Sequence, residues 1–151
     1  MMADRLEYIP DSGGPGRFRG GVGLRTDWRM LVDSYLGVHS NRHKVPGPGL
    51  FYGDDGTLTR IVLNPDSENR ETVPRQATFV PVGPDDVVTI FAGGGGGYGD
   101  PLERDPELVL VDVLNGLVTE EAARRDYGVS LDMEGRRVDW EETRKLREKN
   151  E

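Results

Sequence analysis

The chain has 151 residues, of which 35% are hydrophobic, 21 are glycine and 10 are proline; we therefore predict one domain over residues 1–151 with a small core and many turns. Its formal net charge of −8 disfavours binding to nucleic acid or to an anionic membrane surface, because a basic face recognises both. Without cysteine the chain cannot form disulfides or thiolate metal sites, and this composition is compatible with the cytoplasm.

No segment of the sequence has the pattern of a targeting signal or a membrane span. Residues 1–10 lack the apolar run of a signal peptide. No stretch approaches the ~20 consecutive apolar residues that a transmembrane helix needs. We therefore expect a cytoplasmic protein that does not associate with a membrane.

Residues 1–60 are expected to alternate Gly/Pro-rich loops with short extended segments. The spacing of Phe18 and Val22 indicates a strand that is entered through glycines. Residues 28–35 (WRMLVDSY) are compatible with either a strand or a short helix. Residues 39–56 are rich in glycine and proline, which is typical of turns.

Three segments between residues 58 and 92 predict strands. Residues 58–63 carry apolar side chains on both faces of an extended segment. They therefore predict a strand that is either buried on both sides or located at a sheet edge. Residues 76–82 form a second short strand, and Pro81 places it at a sheet edge because proline cannot donate a ladder hydrogen bond. Residues 87–92 (VVTIFA) are β-branched and aromatic, and they give the strongest strand signal in the chain.

The sequence after residue 104 predicts helices. Asp105 can cap a first helix with Pro106 at its first position, and Gly116 can end it. Apolar residues lie on nearly all sides of this helix, so we expect it to be buried against other parts of the chain and against a partner subunit. Its apolar residues are Leu108, Val109, Leu110, Val111, Val113 and Leu114.

Two further helices are predicted toward the C-terminus. Thr119 can cap the second, which ends at residues 127–128. Asp139 can begin the third, with Glu142 as its capping-box partner, inside a charged helix or tail over residues 132–151. The predicted fold class is therefore α+β, with Gly/Pro-rich loops and short, mainly antiparallel strands followed by C-terminal helices.

A run of five glycines at residues 93–97 directly follows the strongest strand. Successive backbone amides in such a run can cradle an anion, so Gly94, Gly95, Gly96 and the adjacent Tyr98 are candidate substrate or anion contacts. A phosphate-binding P-loop is excluded because no Gly-Lys-Ser/Thr follows the run. The alternative is a flexible or tightly packed turn.

Arg17 and Arg19 alternate within the glycine-rich stretch near the N-terminus. Two guanidinium groups in this pattern can bind a carboxylate or phosphate in a bidentate manner. Alternatively, they form salt bridges with acidic residues of this chain or of a partner. Both arginines are retained as candidate substrate-binding or anion-binding residues, and no catalytic residue is assigned.

Other polar residues give weaker signals. His39 and His43 lie four residues apart in a loop-like segment, and two histidines do not complete a metal site, so we predict surface or turn positions and no metal ligand. Asp100, Glu103 and Asp105 could perform acid–base chemistry, but helix capping and local ion pairs explain them better.

Two segments of the chain resemble the C-terminal region of the hydantoinase B family. The first is residues 11–23 (DSGGPGRFRGGVG), and the second is residues 92–129, which begins AGGGGGYGDPLERDP. The glycine run, the YGDP sequence at 98–101 and the YGV sequence at 127–129 occur in the order found in the family. The resemblance covers residues 11–131.

The resemblance implies an ATP-dependent activity shared with other chains. The family includes chains of N-methylhydantoinase, 5-oxoprolinase and the acetone and acetophenone carboxylases. Its members couple ATP hydrolysis by a kinase-like partner chain to the opening of a cyclic amide or the carboxylation of a ketone. The metal-binding residues described in the family lie in an N-terminal part that this chain lacks. The resemblance therefore implies no cofactor in this chain, and ATP and a divalent metal on partner subunits.

Chains of the family are several times longer, so the resemblance implies a separately encoded tail. We predict the small subunit of a multi-subunit ATP-dependent carboxylase, a ligase of the acetophenone carboxylase type, which is inactive alone. It would complete or stabilise a hydantoinase-B-like large subunit, beside a hydantoinase-A-like ATP-binding subunit. Alternatives are a subunit of an ATP-dependent hydantoinase or 5-oxoprolinase, and a non-catalytic structural or anion-binding module.

Overall fold

The computed structural model describes residues 1–149, in which seven strands precede the first of three helices and two short strands separate the second helix from the third; all paired strands are antiparallel. This arrangement confirms the predicted α+β class. The elements are β1 (Met2–Tyr8), β2 (Leu24–Arg29), β3 (Ser34–His39), β4 (Arg60–Leu63), β5 (Glu71–Thr72), β6 (Gln76–Val82), β7 (Val87–Phe91), a 3-10 turn (Pro101–Glu103), α1 (Pro106–Leu114), α2 (Glu120–Tyr127), β8 (Leu131–Asp132), β9 (Arg137–Val138) and α3 (Trp140–Glu148).

The largest sheet has five strands in the order β1-β2-β7-β4-β5, and all neighbouring strands are antiparallel. Its central strand is β7, the segment with the strongest strand signal. Val88 on β7 lies opposite Trp28 on one side and Leu63 on the other. Val88 and Thr89 are buried, which suits β-branched side chains because they pack well against neighbours on a pleated surface.

Strands β3 and β6 form a second antiparallel sheet, which packs against the large one. Pro81 lies in β6 opposite Tyr35, and β3 is the only strand that pairs with β6 within residues 1–149. The predicted edge position of Pro81 is therefore confirmed. The apolar core at this packing contact contains Val38, Ile61, Leu63, Val73, Val82 and Val88.

One carboxylate is buried in the large sheet. Asp27 on β2 accepts hydrogen bonds from Arg25 Nε at 3.0 Å and from Thr89 Oγ1 at 2.8 Å. Burial alone would raise the pKa of Asp27, but the hydrogen bonds from Arg25 and Thr89 and the charges of Arg25 and Arg5 outweigh it and lower that pKa. The ionised carboxylate thus links β1, β2 and β7.

The helices begin where the capping residues predict. Asp105, Thr119 and Asp139 are the N-caps, and each side chain accepts a hydrogen bond from a backbone amide in the first turn. Pro106 is the first residue of α1. Gly128 ends α2 in the left-handed conformation, with φ of 60°, which glycine adopts without steric cost.

Helices α1 and α2 pack around a second core. Leu110 on α1 belongs to it and is 5% exposed, whereas Leu108 on the same helix is 50% exposed. Val111 and Leu114 are also about half exposed. Within residues 1–149, α1 is therefore covered on one side only. The core consists of Val109, Leu110, Val118, Ala122, Ala123, Tyr127, Val129 and Val138.

The N-terminal region contains more strand than predicted. Met2–Tyr8 forms the edge strand β1, and all seven residues are exposed, so the sequence has no alternating pattern that would reveal it. Residues 28–35 supply the end of β2 and the start of β3. The strand predicted around Phe18 and Val22 is wrong, because the glycines of this stretch pack onto other backbone segments and β2 begins only at Leu24.

Helix α3 lies within the charged segment predicted at residues 132–151. Lys145 and Arg147 occupy its last turn, where positive charge complements the helix dipole. The last two residues of the predicted segment lie outside the described residues. Across residues 1–149, no helix is both long and apolar enough to cross a lipid bilayer.

Candidate functional site

The glycine run lies at the centre of a bundle of extended glycine-rich stretches. The amide of Gly14 donates to the carbonyl of Gly95 at 2.8 Å, and the amide of Gly95 donates to the carbonyl of Gly21 at 2.9 Å. These hydrogen bonds satisfy backbone amides and carbonyls that would bond to water in an exposed loop. We call this assembly the glycine bundle, and it comprises residues 12–16, 18–23, 47–57 and 93–99.

Close packing explains most of the glycines in the run. A Cβ atom on Gly94 would lie 2.0 Å from the carbonyl oxygen of Ser12, and one on Gly96 would lie 2.0 Å from the carbonyl oxygen of Pro48. Gly95 differs, because the nearest atom to its Cβ position is 3.5 Å away. The run is thus a tightly packed structural segment in which backbone approaches backbone.

The amides of the run are directed at protein acceptors. Gly94 donates to Thr57 Oγ1 at 3.2 Å, and Gly97 donates to the carbonyl of Asp54 at 2.9 Å. A cradle for an anion needs successive amides that converge on one ligand. An anion-binding role for the run stays a prediction.

Arg19 takes part in a largely buried ion-pair network. Its Nε lies 3.0 Å from Asp112 Oδ2 and its Nη2 lies 3.1 Å from Asp112 Oδ1, which is bidentate geometry. Arg104 Nη2 donates to the same Oδ2 at 2.8 Å. The network joins the glycine bundle to α1. No role was predicted for Asp112, the centre of this network, although a carboxylate within an otherwise apolar helix is a recognisable signal.

Arg17 lies at the surface, apart from this network. Its Nη1 is 3.6 Å from Glu103 Oε2, and its guanidinium lies 5.8 Å from the centre of the Phe18 ring. Both side chains of the Arg17–Glu103 pair are more than half exposed. The structure therefore does not bring the two predicted arginines to one partner, and Arg17 is the one that a ligand can reach.

Tyr98 organises a cluster of exposed apolar side chains. Its backbone exchanges two hydrogen bonds of 2.9 Å with Phe18, and its ring centre lies 5.0 Å from that of Phe51 and 6.3 Å from that of Phe18. No role was predicted for Phe51 and Tyr52, although two adjacent aromatic residues between Gly49 and Gly53 are a recognisable signal. We call this cluster the aromatic patch, and it comprises Phe18, Leu50, Phe51, Tyr52 and Tyr98.

Acidic residues accompany the aromatic patch. Asp54 and Asp55 follow Tyr52 in the chain, and Asp100 follows Tyr98 by two residues. Burial, and then the negative charges of Asp126, Asp55 and Asp100, raise the pKa of Asp54 above its ordinary value. Negative charge therefore predominates around Asp54.

The remaining predicted polar residues serve local structure. Asp100 accepts from the amide of Leu102 at 2.8 Å, and Asp105 accepts from the amide of Glu107 at 3.0 Å, so the capping interpretation of these carboxylates is confirmed. His39 is the exposed last residue of β3, and the half-buried His43 lies in a bend after that strand. Within residues 1–149, no three His, Cys, Asp or Glu side chains are grouped so that they could hold a metal ion.

The sequence profile described as hydantoinase B/oxoprolinase matches residues 1–101. A putative B-type D-/L-hydantoinase chain from Pseudomonas sp. (strain NS671) is 33% identical over 149 residues, covering 97% of this chain and 25% of that protein. This chain belongs to the hydantoinase B/oxoprolinase family.

Other members of the family resemble the chain over nearly its whole length. The delta subunit of acetophenone carboxylase from Aromatoleum aromaticum is 32% identical over 178 residues, covering 97% of this chain and 26% of that protein. The crystal structure of an ATP-dependent caprolactamase from Pseudomonas jessenii has a TM-score of 0.79 and 33% identity, over 96% of this chain and 26% of that chain. This hydantoinase B family chain thus spans about a quarter of the length of these relatives.

Proposed function

We propose that this chain is the small subunit of a multi-subunit ATP-dependent enzyme and completes or stabilises a hydantoinase-B-like large subunit. One observation carries the proposal: over 96% of its residues the chain has the fold of a segment of an ATP-dependent caprolactamase, with a TM-score of 0.79 and 33% identity. A segment that folds as part of a longer chain in its relatives needs the surfaces that the rest of that chain provides. The half-exposed apolar side of α1 is consistent with this need.

The reaction proposed first is carboxylation of a ketone, as in an enzyme of the acetophenone carboxylase type. The relative that supports it is the acetophenone carboxylase delta subunit, at 32% identity. The second candidate is ATP-dependent opening of a cyclic amide, and the 33% identical caprolactamase structure favours it. In both cases, ATP would be bound by a hydantoinase-A-like subunit, and a divalent metal would be held by partner subunits.

The role proposed for the chain itself is structural. The glycine bundle is a close-packed scaffold that holds Tyr98 and Phe18 in one place through backbone hydrogen bonds. Buried ion pairs from Asp112 to Arg19 and Arg104 connect this scaffold to the helices. Such a unit can position a surface against a larger subunit without supplying a reacting group.

Reconstitution tests the proposed function. The chain is co-expressed with the hydantoinase-B-like and hydantoinase-A-like chains of the same organism. ATP hydrolysis is then measured with acetophenone and bicarbonate, and separately with caprolactam or hydantoin. We expect substrate-dependent ATP hydrolysis only when all the chains are present, and none from this chain alone. Turnover by the isolated chain, or full activity of the partners without it, would contradict the proposal.

A further inference from the structure

The aromatic patch exposes a large apolar surface. Tyr52 is 89% exposed and Phe51 is 68% exposed, and the other three members are between 48% and 62% exposed. Scattered apolar residues are normal on a protein surface, but a contiguous group marks an interaction site. Aromatic side chains in such a group are typical anchors of protein–protein interfaces.

The backbone that carries the patch is strained. The amide of Gly53 donates to the carbonyl of Leu50 at 3.1 Å, which closes a turn with Phe51 and Tyr52 at its two central positions. Their φ angles are 52° and 72°, as in a type I′ turn, in which Asn-Gly is strongly preferred. Positive φ is unfavourable for bulky residues and persists where the surroundings impose it, often at binding sites.

Contacts within the chain do not explain the choice of residues in this turn. The ring of Phe51 contacts that of Tyr98, but the highly exposed Tyr52 buries almost no area against its own chain. Asn-Gly at these positions would build the same turn without strain. The aromatic pair therefore indicates a stabilising contact outside residues 1–149.

Two observations indicate what makes that contact. This chain matches 26% of the caprolactamase chain, so about three quarters of that chain lies outside the matched part. Three carboxylates lie next to the patch, since Asp54 and Asp55 follow the turn directly and Asp100 follows Tyr98. The one cation described at the patch, Arg17 beside Phe18, is paired with Glu103. A partner with apolar side chains and nearby positive charges would complement this surface.

We propose that the aromatic patch is the surface on which the remaining part of a hydantoinase B chain docks, through an apolar segment of that chain flanked by lysine or arginine. The proposal rests on the proposed function, since it names the contact between the small and large subunits. Phe51 and Tyr52 insert into the large subunit, and Asp54 and Asp55 face its basic residues.

The turn itself offers a sharp test. The double variant Phe51→Asn/Tyr52→Gly removes both aromatic rings and installs the residues that this turn prefers. The thermal midpoint of the isolated variant should therefore equal or exceed that of the wild type. Phe79→Gly is a matched control, because Phe79 is also aromatic, 78% exposed and at positive φ. Unlike Tyr52, it has an aromatic partner within the chain, since its ring packs edge-on against Tyr35 on the separate β3–β6 sheet.

Binding is measured by analytical ultracentrifugation of each full chain with the hydantoinase-B-like large subunit of the same organism. We expect the dissociation constant to rise at least about tenfold for the double variant, as for loss of interface anchors, and to be unchanged for Phe79→Gly. If the double variant unfolds, Tyr52→Gly alone should still weaken binding without lowering the thermal midpoint.

The outcomes separate this inference from the proposed function. A wild-type chain that does not bind the large subunit overturns the proposed function. Equal binding by the wild type and the double variant overturns the docking surface and leaves the proposed function intact. A wild-type homodimer that the double variant cannot form would show instead that the patch joins two copies of this chain, which also overturns the docking proposal.

Discussion

Adjacent glycines in the run occupy different surroundings and should respond differently to substitution. Gly96→Ala places a Cβ 2.0 Å from the carbonyl oxygen of Pro48, and backbone at both sites must shift to relieve the overlap. We expect the free energy of unfolding to fall by about 1–3 kcal/mol. Urea denaturation followed by circular dichroism measures the change.

Gly95→Ala is the matched control, because the nearest atom to its Cβ position is 3.5 Å away. Since alanine restricts the unfolded chain, the free energy of unfolding should stay level or rise by up to about 1 kcal/mol. If Gly96→Ala and Gly95→Ala lower the free energy of unfolding equally, the contact with Pro48 is not the reason that the run excludes side chains.

At the scale of the element, helix α1 has a buried side and an open side. Leu110→Asp places a carboxylate in the second core, among side chains that are mainly aliphatic. We expect the free energy of unfolding to fall by about 3 kcal/mol or more, through lost burial and an unpaired charge. Thermal and urea denaturation of the isolated chain measure this loss.

The same change at Leu108, on the open side of α1, should cost less than about 1 kcal/mol, as is usual for surface substitutions. Comparison of the two variants shows whether the open side serves association. Leu108→Asp chains that fold normally are suited to binding measurements, whereas Leu110→Asp chains are not. If Leu110→Asp and Leu108→Asp lower the free energy of unfolding by similar amounts, Leu110 does not point into the core.

At the scale of the whole molecule, Asp112 holds the helices to the glycine bundle. Asp112→Asn keeps the shape of the side chain but leaves the largely buried guanidinium groups of Arg19 and Arg104 without a counterion. Removal of one member of a buried ion pair typically lowers the free energy of unfolding by about 3–5 kcal/mol. Urea denaturation monitored by tryptophan fluorescence and circular dichroism measures the effect.

Glu103→Gln provides the control for charge removal near the same site. Glu103 pairs with Arg17 at 3.6 Å, and both side chains are mostly exposed. An exposed pair contributes up to about 1 kcal/mol, so this variant should remain close to wild-type stability. If Asp112→Asn and Glu103→Gln both lower the free energy of unfolding by the same small amount, the Asp112 network does not stabilise the fold.

Features that depend on neighbouring residues could be predicted from the sequence. The caps Asp105, Thr119 and Asp139 act within one helical turn, so the helix starts follow from local hydrogen bonding. The strand at residues 76–82 was predicted with its bounds, because β-branched and aromatic residues favour extended backbone. The motifs around residues 98–101 likewise predicted the family.

Contacts between residues distant in the chain were decided only by the tertiary structure. Arg19 meets Asp112 93 positions away, and an ion pair of that kind leaves no local pattern. The edge strand β1 is exposed throughout and is defined by its pairing with β2. The sequence by itself determined where the three helices and the strands β6 and β7 begin, because caps and propensities act locally. Only the tertiary structure packed the glycine run against Ser12 and Pro48 and left Tyr52 exposed, because burial depends on what the folded chain brings alongside.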